Sequence, residues 1–417
     1  MRGITQYYNS TIIIVMVIVC ISFLTMCMNK KTAKADAEKK ASYKDFAGSA
    51  SCQNCHKDIY HSHLNTAHFH TSEIASEKNI KGSFETGKNI FPYPNGSFIA
   101  MKKMDSGFYQ VEYFGNAERQ RHSFNIVSGS GTKGQTYLYW ENNKLFQLPI
   151  TYFTSASQWC NSPGFPDRAV FKRPITSRCL ECHTTFAAVI SASGIEPEEF
   201  DKKTIVYGVD CERCHGPAAM HVAYQTQNPK DNNAKYIINP AKFTRQQNLD
   251  LCALCHGGKL QKTKSSFSFV SGDTLAGFFK WDTASKTAGD IDVHGNQLGL
   301  LKLSRCFLES STLTCNSCHN PHQNEKNELA VYSQRCMTCH NKEHNNFCTI
   351  NPSLVANIKN NCIDCHLPKQ ASHAISVFLP GQSMLTPSLI RTHYITIYPD
   401  ETKKYIEQMK KQSRENK

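Results

Sequence analysis

CERCHGPAAMH, residues 211–221, contains the pattern that decides how this chain folds. Two cysteines are separated by two residues, and a histidine directly follows the second cysteine. The pattern Cys-x-x-Cys-His occurs seven times in 417 residues, whereas chance predicts about 0.04 occurrences for this composition. In chain order, motifs 1 to 7 begin at Cys52, Cys179, Cys211, Cys252, Cys315, Cys336 and Cys362.

The spacing within the motif has a chemical reason. Two thiols three positions apart on one helical turn can add to the two vinyl groups of one haem, and the next histidine then faces the iron. One such cysteine pair alone would also fit a zinc knuckle or a dithiol redox centre. Seven pairs, each followed by histidine, predict seven covalently bound haems c. The attachment residues are Cys52, Cys55, Cys179, Cys182, Cys211, Cys214, Cys252, Cys255, Cys315, Cys318, Cys336, Cys339, Cys362 and Cys365, and the proximal iron ligands are His56, His183, His215, His256, His319, His340 and His366.

Composition narrows the class of protein. The formal charge is +13, but no basic block is interleaved with aromatic residues, which argues against a nucleic-acid surface. Seven ferric haems at −1 each would reduce this charge to about +6, a mild excess with little steering power. Hydrophobic residues make up only 40% of the chain, as expected where haems replace part of an ordinary core. The predicted fold is mostly α, with irregular loops wrapped around seven haems.

The pattern of residues divides the chain into six segments. Between residues 84 and 153 the stretches GFYQVEYFG and TYLYWENNKLFQLPI alternate apolar and polar residues, which predicts a small β-rich insert with a hairpin turn at Asn142-Asn143. The predicted segments are a signal peptide or membrane anchor (1–28), a linker (29–50), a first haem segment (51–83), the β-rich insert (84–160), a multihaem domain with six haems (161–395) and a charged C-terminal helix and tail (396–417).

The N-terminus predicts export. Residues 11–28 form an uncharged apolar run that suits a signal peptide or one membrane anchor. A lipoprotein cut before Cys27 and an uncleaved anchor both fit this run, and simple cleavage fits it least. Haem attachment to this motif in bacteria takes place outside the cytoplasm. We therefore expect a periplasmic or extracytoplasmic protein that is associated with the membrane through its N-terminal anchor or a lipid.

Five cysteines lie outside the motifs: Cys20, Cys27, Cys160, Cys306 and Cys348. Cys306 and Cys348 flank motifs 5 and 6, and free thiols of exported proteins tend to be oxidised. A disulfide between them would close a loop of roughly 40 residues and contribute about 3–4 kcal/mol. The alternative is that both are buried apolar thiols.

Eleven further histidines could supply the second axial ligand of each iron. Methionine is less suited, because four of the ten methionines lie in the first 28 residues. Histidine ligands on both faces of a haem predict a low reduction potential. His221 and His322 closely follow motifs 3 and 5, and His344 closely follows motif 6. His122 is a reserve candidate.

Several segments resemble the multihaem superfamily of cytochrome c-554 and hydroxylamine oxidoreductase, including proteins with a doubled CxxCH motif. The resemblance rests on SCQNCHKDIYHSHLNTAHFHTS, YGVDCERCHGPAAMH, HGNQLGLLKLSRC with LTCNSCHNPH, and CIDCHLPKQASH, where Leu367 replaces the usual methionine. It implies distal ligands at His68, His221, His294, His322 and His373. His393, in LIRTHYITIY, and His344 complete a set of seven.

Two features of the related enzymes are missing from the sequence. It has no CxxCK motif, which marks the active haem of pentahaem nitrite reductases, and no feature that identifies a tyrosine cross-linked to haem. We therefore expect an electron-transfer cytochrome whose partners are redox proteins, such as a quinol oxidase or other cytochromes. The alternatives are a reductase or oxidase of a small inorganic nitrogen or sulfur compound at one open haem, and a scaffold in which haems are structural.

Overall fold

The computed structural model describes residues 41–415 apart from 193, 282–286, 345–346 and 351–357; for 412–415 it describes the backbone only. The apolar run at 11–28 and the linker up to residue 40 lie outside the described residues. Within the described ranges, no helix is both long and apolar enough to cross a membrane.

The prediction of a mostly α fold is wrong. Helices account for 29% of the structure and strands for 25%, and the strands form a curled nine-stranded sheet and a half-barrel. Several strands after residue 161 have only two or three residues, so they carry no alternating pattern that sequence analysis could detect. They exist because neighbouring strands satisfy their backbone hydrogen bonds.

The helices of the described chain are short, and several contain or end at a motif. They are α1 (Lys57–His63), α2 (Ser177–His183), α3 (Cys211–His215), α4 (Ala219–Gln227), α5 (Arg245–His256), α6 (Gln297–Leu301), α7 (Arg305–Glu309), α8 (Leu329–Met337), α9 (Ile363–His366) and α10 (Pro399–Glu415).

The strands extend well beyond the predicted insert. They are β1 (Ser72–Ile74), β2 (Ile90–Pro92), β3 (Ser97–Met104), β4 (Gly107–Phe114), β5 (Ala117–Phe124), β6 (Ile126–Ser128), β7 (Gly134–Glu141), β8 (Lys144–Gln147), β9 (Ile150–Phe153), β10 (Gln158–Asn161), β11 (Arg173–Pro174), β12 (Thr184–Phe186), β13 (Val189–Ser191), β14 (Glu199–Phe200), β15 (Val206–Tyr207), β16 (Leu260–Lys262), β17 (Phe279–Trp281), β18 (Lys369–Phe378) and β19 (Leu385–Arg391).

The nine-stranded sheet joins the insert to the motif-bearing chain. Its main path runs β1-β6-β7-β8-β14-β13, with β9 and β10 added beside β7 and β11 beside β8. The predicted hairpin turn at Asn142-Asn143 is confirmed, since Glu141 pairs with Lys144 and Asn142 has φ of 54°. Because β1, β11, β13 and β14 come from outside residues 84–160, the sheet holds the motif-bearing segments next to the insert.

The second large sheet is a meander in the order β2-β3-β4-β5, and it shares a core with the first. This core contains Ile99, Met101, Tyr137, Leu148 and Trp159. A separate cluster packs Leu138 and Leu145 of the nine-stranded sheet against Leu180 of motif 2 and Phe186. The sheet therefore forms an apolar support behind motif 2.

Gln110 links the two sheets from a fully buried position on β4. Its side-chain nitrogen donates to the Ile150 carbonyl oxygen at 2.6 Å, and its side-chain oxygen accepts from the Ile150 amide at 3.0 Å. We expect Gln110→Met to lower the free energy of unfolding by about 2 kcal/mol, because two buried backbone groups lose their partner.

Urea denaturation of the purified chain would measure this loss. Gln120→Met is the matched control, because Gln120 is exposed on β5 and its side chain bonds to the side chains of Glu112 and His122 rather than to buried backbone groups. We expect a change below about 0.5 kcal/mol for the control. Equal losses in both variants would contradict the role given to Gln110.

Candidate functional site

Each motif forms a helical turn, which places its two thiols and its histidine together. In motif 1 the His56 amide donates to the Cys52 carbonyl oxygen at 2.8 Å, and in motif 5 the His319 amide donates to Cys315 at 2.9 Å. Motifs 2, 3 and 4 lie within α2, α3 and the end of α5. Residues four apart lie on one face of such a turn, so the local geometry matches the chemistry expected of the motif.

Thiols of different motifs meet in pairs. Four pairs of thiols, from motifs 1 and 3, 2 and 4, 4 and 5, and 6 and 7, lie close enough to shift each other's pKa. The pairs are Cys52 with Cys211, Cys182 with Cys255, Cys252 with Cys315, and Cys336 with Cys362. The thiols of Cys318 and Cys339, in motifs 5 and 6, are also close enough for their charges to interact. The motifs therefore form a contiguous cluster, although long segments of sequence separate them.

Three of the predicted distal histidines each face a motif histidine. The ring centroids of His68 and His256 lie 6.3 Å apart, and those of two further pairs lie 6.1 Å apart. The further pairs are His215 with His322 and His319 with His393. Two imidazoles on opposite faces of one metal ion, each with a metal–nitrogen bond of about 2 Å, place their centroids about 6 Å apart. The spacing therefore fits an iron between each pair.

Four of the seven motif histidines are oriented by a hydrogen bond at one ring nitrogen. A carbonyl oxygen can only accept, so the Nδ1 atoms facing one must carry the proton, which leaves Nε2 free to bind a metal. The acceptors are Thr71 O for His183 (3.2 Å), Ile238 O for His215 (2.9 Å), the Gln297 side-chain oxygen for His256 (3.1 Å) and Thr396 O for His366 (2.8 Å).

Burial keeps two of the paired histidines neutral. Burial, together with the charges of other nearby histidines, lowers the pKa of His68 and that of His393 to about 4. Neutral imidazole is the form that binds iron, so at pH 7 both rings are ready to act as ligands without losing a proton. The buried Nδ1 atom of His393 has no hydrogen-bond partner within the described chain.

The other predicted distal histidines are placed differently. Within the described residues, four of them make no ring pair with a motif histidine other than His340: His221, His294, His344 and His373. Asp292 connects two of them, because its carboxylate accepts from the His294 amide at 2.7 Å and the His373 amide at 2.6 Å. The reserve candidate, His122, stacks on Phe171 in the β-rich part of the chain, with 4.7 Å between ring centroids.

A cavity lies beside motif 6. It has a volume of about 380 Å³, and its lining includes His340, Met337, Phe347 and Lys359. Apolar and cationic side chains around a motif histidine suit a haem ring and its propionates.

The charged residues inside motifs 2 and 3 were not singled out by sequence analysis. Arg213 donates to the Glu181 carbonyl oxygen at 2.8 Å, and its buried Nε atom has no partner in the described structure. Such an unpaired guanidinium atom fits a haem propionate, the anion that a haem site supplies. The sequence did offer a signal for these charged residues, because Glu181 and Arg213 each lie between the two cysteines of a motif.

Glu212, also inside motif 3, holds the segment that leads into motif 1. Its buried carboxylate accepts hydrogen bonds of 2.8 Å from the backbone amides of Ala47, Gly48 and Ala218. We expect Glu212→Gln to speed amide hydrogen exchange at 46–52, because the neutral side chain loses charge-assisted bonds that contribute about 1.5–3 kcal/mol each.

Hydrogen exchange followed by mass spectrometry would measure this effect. Glu309→Gln is the control, because Glu309 is exposed and pairs only with Arg305 at 3.7 Å. Unchanged exchange at 46–52 in the Glu212 variant would show that other contacts hold this segment.

The predicted disulfide between Cys306 and Cys348 is wrong. Both are free cysteines, and each lies near a different motif. The charge of Cys339 acts on Cys306, whereas that of Cys348 acts on Cys365. Cys306 therefore lies near motifs 5 and 6, whereas Cys348 lies near motif 7.

Comparison with known proteins agrees with this geometry. The family model of cytochrome c554 and c-prime matches residues 166–216, which include motifs 2 and 3. The matched residues include the motif cysteines Cys179, Cys182, Cys211 and Cys214. Among solved structures, the outer cell wall cytochrome OcwA has a similar fold, with a TM-score of 0.53 and 14% sequence identity. The similarity covers 86% of this chain and 81% of OcwA. No curated protein sequence matches the chain.

Proposed function

We propose that this chain is an exported heptahaem c-type cytochrome that transfers electrons between redox partners. The observation that carries the proposal is the set of three histidine pairs with centroids 6.1–6.3 Å apart. A haem bound by two histidines supplies one-electron transfer at low potential.

Each motif would hold one haem through its two cysteines and its histidine. We assign His68 to the haem of motif 4, His322 to that of motif 3 and His393 to that of motif 5. We further propose His221, His294, His344 and His373 as distal ligands for the remaining four motifs. The carbonyl acceptors at Nδ1 fix the ring orientations and so hold Nε2 toward the metal.

The contacts between motifs suggest the route that electrons take through the protein. The thiol pairs place motif 1 beside 3, motif 4 beside 5, and motif 6 beside 7. Cys214 of motif 3 and Cys252 of motif 4 are close enough for their charges to interact. We propose a path in the order 1-3-4-5-6-7, with motif 2 as a side branch at motif 4.

The partners and location follow from the same proposal. OcwA is named as an outer cell wall protein, and covalent haem attachment suits an extracytoplasmic site. We propose that residues 1–28 direct export and associate the chain with the membrane by an anchor or a lipid. A quinol oxidase or another cytochrome would then be the redox partner.

The haem count tests the proposal most directly. We expect the pyridine haemochrome assay, after acid–acetone has removed unattached haem, to give seven haems per chain. The reason is that each of the seven motifs supplies both thiols. A value near three or four would contradict the proposal.

A second candidate function is reduction or oxidation of a small nitrogen or sulfur compound. The haem of motif 6 would take up the cavity beside His340, so this function requires that the distal face of that haem stays open to a small ligand. Electron paramagnetic resonance of the oxidised protein separates the two functions. Only low-spin haem agrees with electron transfer alone, whereas a high-spin haem and turnover of nitrite or sulfite would favour the enzyme.

A further inference from the structure

Four cationic side chains from three distant parts of the sequence converge beside motifs 5 and 7. Lys133 comes from the loop before β7, Lys326 follows motif 5, and Lys369 and Arg391 are register partners on β18 and β19. The Lys133 ammonium donates to the Leu389 carbonyl oxygen of β19 at 2.7 Å, which brings the loop onto this hairpin. We call Lys133, Lys326, Lys369 and Arg391 the cationic cluster.

The described side chains compensate the positive charge of the cationic cluster only in part, through Asp364, on which the charges of Arg391 and Lys369 both act. Arg391 pairs with Asp364 of motif 7 at 2.5 Å. Lys133, Lys326 and Lys369 have no ion pair with a carboxylate in the described chain. Burial, together with the charges of Lys369, Lys326 and Arg391, lowers the pKa of Lys133. Such mutual repulsion works against folding, so an anionic partner that relieves it would bind here with a gain in free energy.

The hairpin that carries Lys369 and Arg391 suits a protein rather than a small anion, because it exposes apolar side chains along its length. Leu389, whose carbonyl oxygen accepts from Lys133, is 52% exposed, and Met384 and Leu385 are 79% and 53% exposed at the turn end, opposite the end that holds Lys369 and Arg391. Apolar contacts surrounded by charge are the usual composition of a protein–protein interface. The position of the cationic cluster also suits electron exchange with a partner. Lys369 lies three residues after His366, and Arg391 lies two residues before His393.

We propose that the cationic cluster and the exposed apolar end of the β18–β19 hairpin form a docking surface for an acidic redox partner protein. The proposal rests on the proposed electron-transfer function, because it places the partner beside motifs 5 and 7. Complementary charge at such a surface speeds association and orients the partner.

Equilibrium binding tests the proposal without any electron transfer. The probe is an oxidised plant-type ferredoxin, a small acidic protein, and the full-length haem-loaded chain is also oxidised. Binding is measured by calorimetry at about 10 mM and about 150 mM NaCl, where the Debye length is about 30 Å and about 8 Å. We expect at least about tenfold weaker binding at the higher salt concentration.

The variant Lys326→Glu/Lys369→Glu should bind about tenfold more weakly at low salt and lose most of the salt dependence. The matched control is Lys203→Glu/Lys230→Glu, which makes the same change of charge at exposed lysines outside the cationic cluster. We expect less than about a twofold effect from the control. Equal weakening by both double variants would overturn the proposal, because it would show a response to net charge alone.

Two further measurements distinguish a docking surface from a small-anion site, and a failure of the docking proposal from a failure of the proposed function. If inorganic phosphate displaces the ferredoxin at an ionic strength where chloride does not, the cationic cluster is a small-anion site and the docking proposal fails. The haem content of each sample is determined in parallel. A count far from seven would refute the proposed function, whereas seven haems without cluster-dependent binding would refute only the docking surface.

Discussion

Gly208→Ala is expected to lower the free energy of unfolding by about 3–5 kcal/mol. Gly208 has φ of 72°, a left-handed conformation that side chains with a Cβ atom disfavour. A Cβ atom added here would lie 2.2 Å from the Phe69 carbonyl oxygen, and this oxygen is backbone that cannot rotate away. The variant would therefore be both strained and overpacked.

The position matters because Gly208 joins two motif-bearing segments. The Gly208 amide donates to the Ser72 hydroxyl at 3.0 Å, and the next residue, Val209, donates its amide to the His68 carbonyl oxygen at 2.9 Å. A displaced Gly208 would move His68 relative to motif 3. We therefore expect the variant to lose stability and to disturb the haem environment that includes His68.

Urea denaturation measures the loss of stability, and Gly381→Ala is the matched control. Gly381 has nearly the same φ, 73°, but an added Cβ atom would meet no other atom within 4 Å. The control isolates the conformational cost, which we expect to be about 1–2 kcal/mol. If both variants lose the same stability, the close approach of Phe69 is unimportant.

The second large effect is spectroscopic and concerns His68→Ala. Because its ring faces His256 at 6.3 Å between centroids, we expect the iron held by motif 4 to lose one axial ligand. The oxidised protein should then gain a high-spin signal, equivalent to one of the seven proposed haems, in its electron paramagnetic resonance spectrum. The haem content should not change, because Cys252 and Cys255 still supply both attachment thiols.

His70→Ala is the control for this experiment. His70 lies two residues away, but its Nδ1 atom is 3.0 Å from the Glu73 carboxylate and its ring faces Phe69 rather than a motif histidine. The control should keep the wild-type spectrum. A high-spin signal in the His70 variant but not in the His68 variant would reverse the assignment of the two histidines.

Local chemistry was predictable from sequence because it depends on neighbours along the chain. The thiols and histidine of a Cys-x-x-Cys-His motif share one helical turn, so their positions relative to one another are set within five residues. The turn at Asn142-Asn143 was predictable for the same reason, since a two-residue hairpin turn depends on residues that adopt positive φ.

The strand content was not predictable in this way. β13, β14 and β15 have two or three residues each and show no alternation. β18 and β19 are longer, but their register shifts between Ala371 and Ser376, and Pro387 lies within β19. Such strands depend on hydrogen-bonding partners that are distant in sequence, so an argument from local patterns underestimates them.

By itself, the sequence determined the seven motifs, the cysteines and histidines that they contain, and the helical turn that brings these side chains together. The tertiary structure alone decided which motif lies beside which, that His68 faces His256, and that Cys306 and Cys348 lie near different motifs. The physical reason is that a second imidazole must lie on the opposite face of the metal from the first. A turn that carries the first histidine cannot also supply the second, so only long-range packing can bring the two rings together.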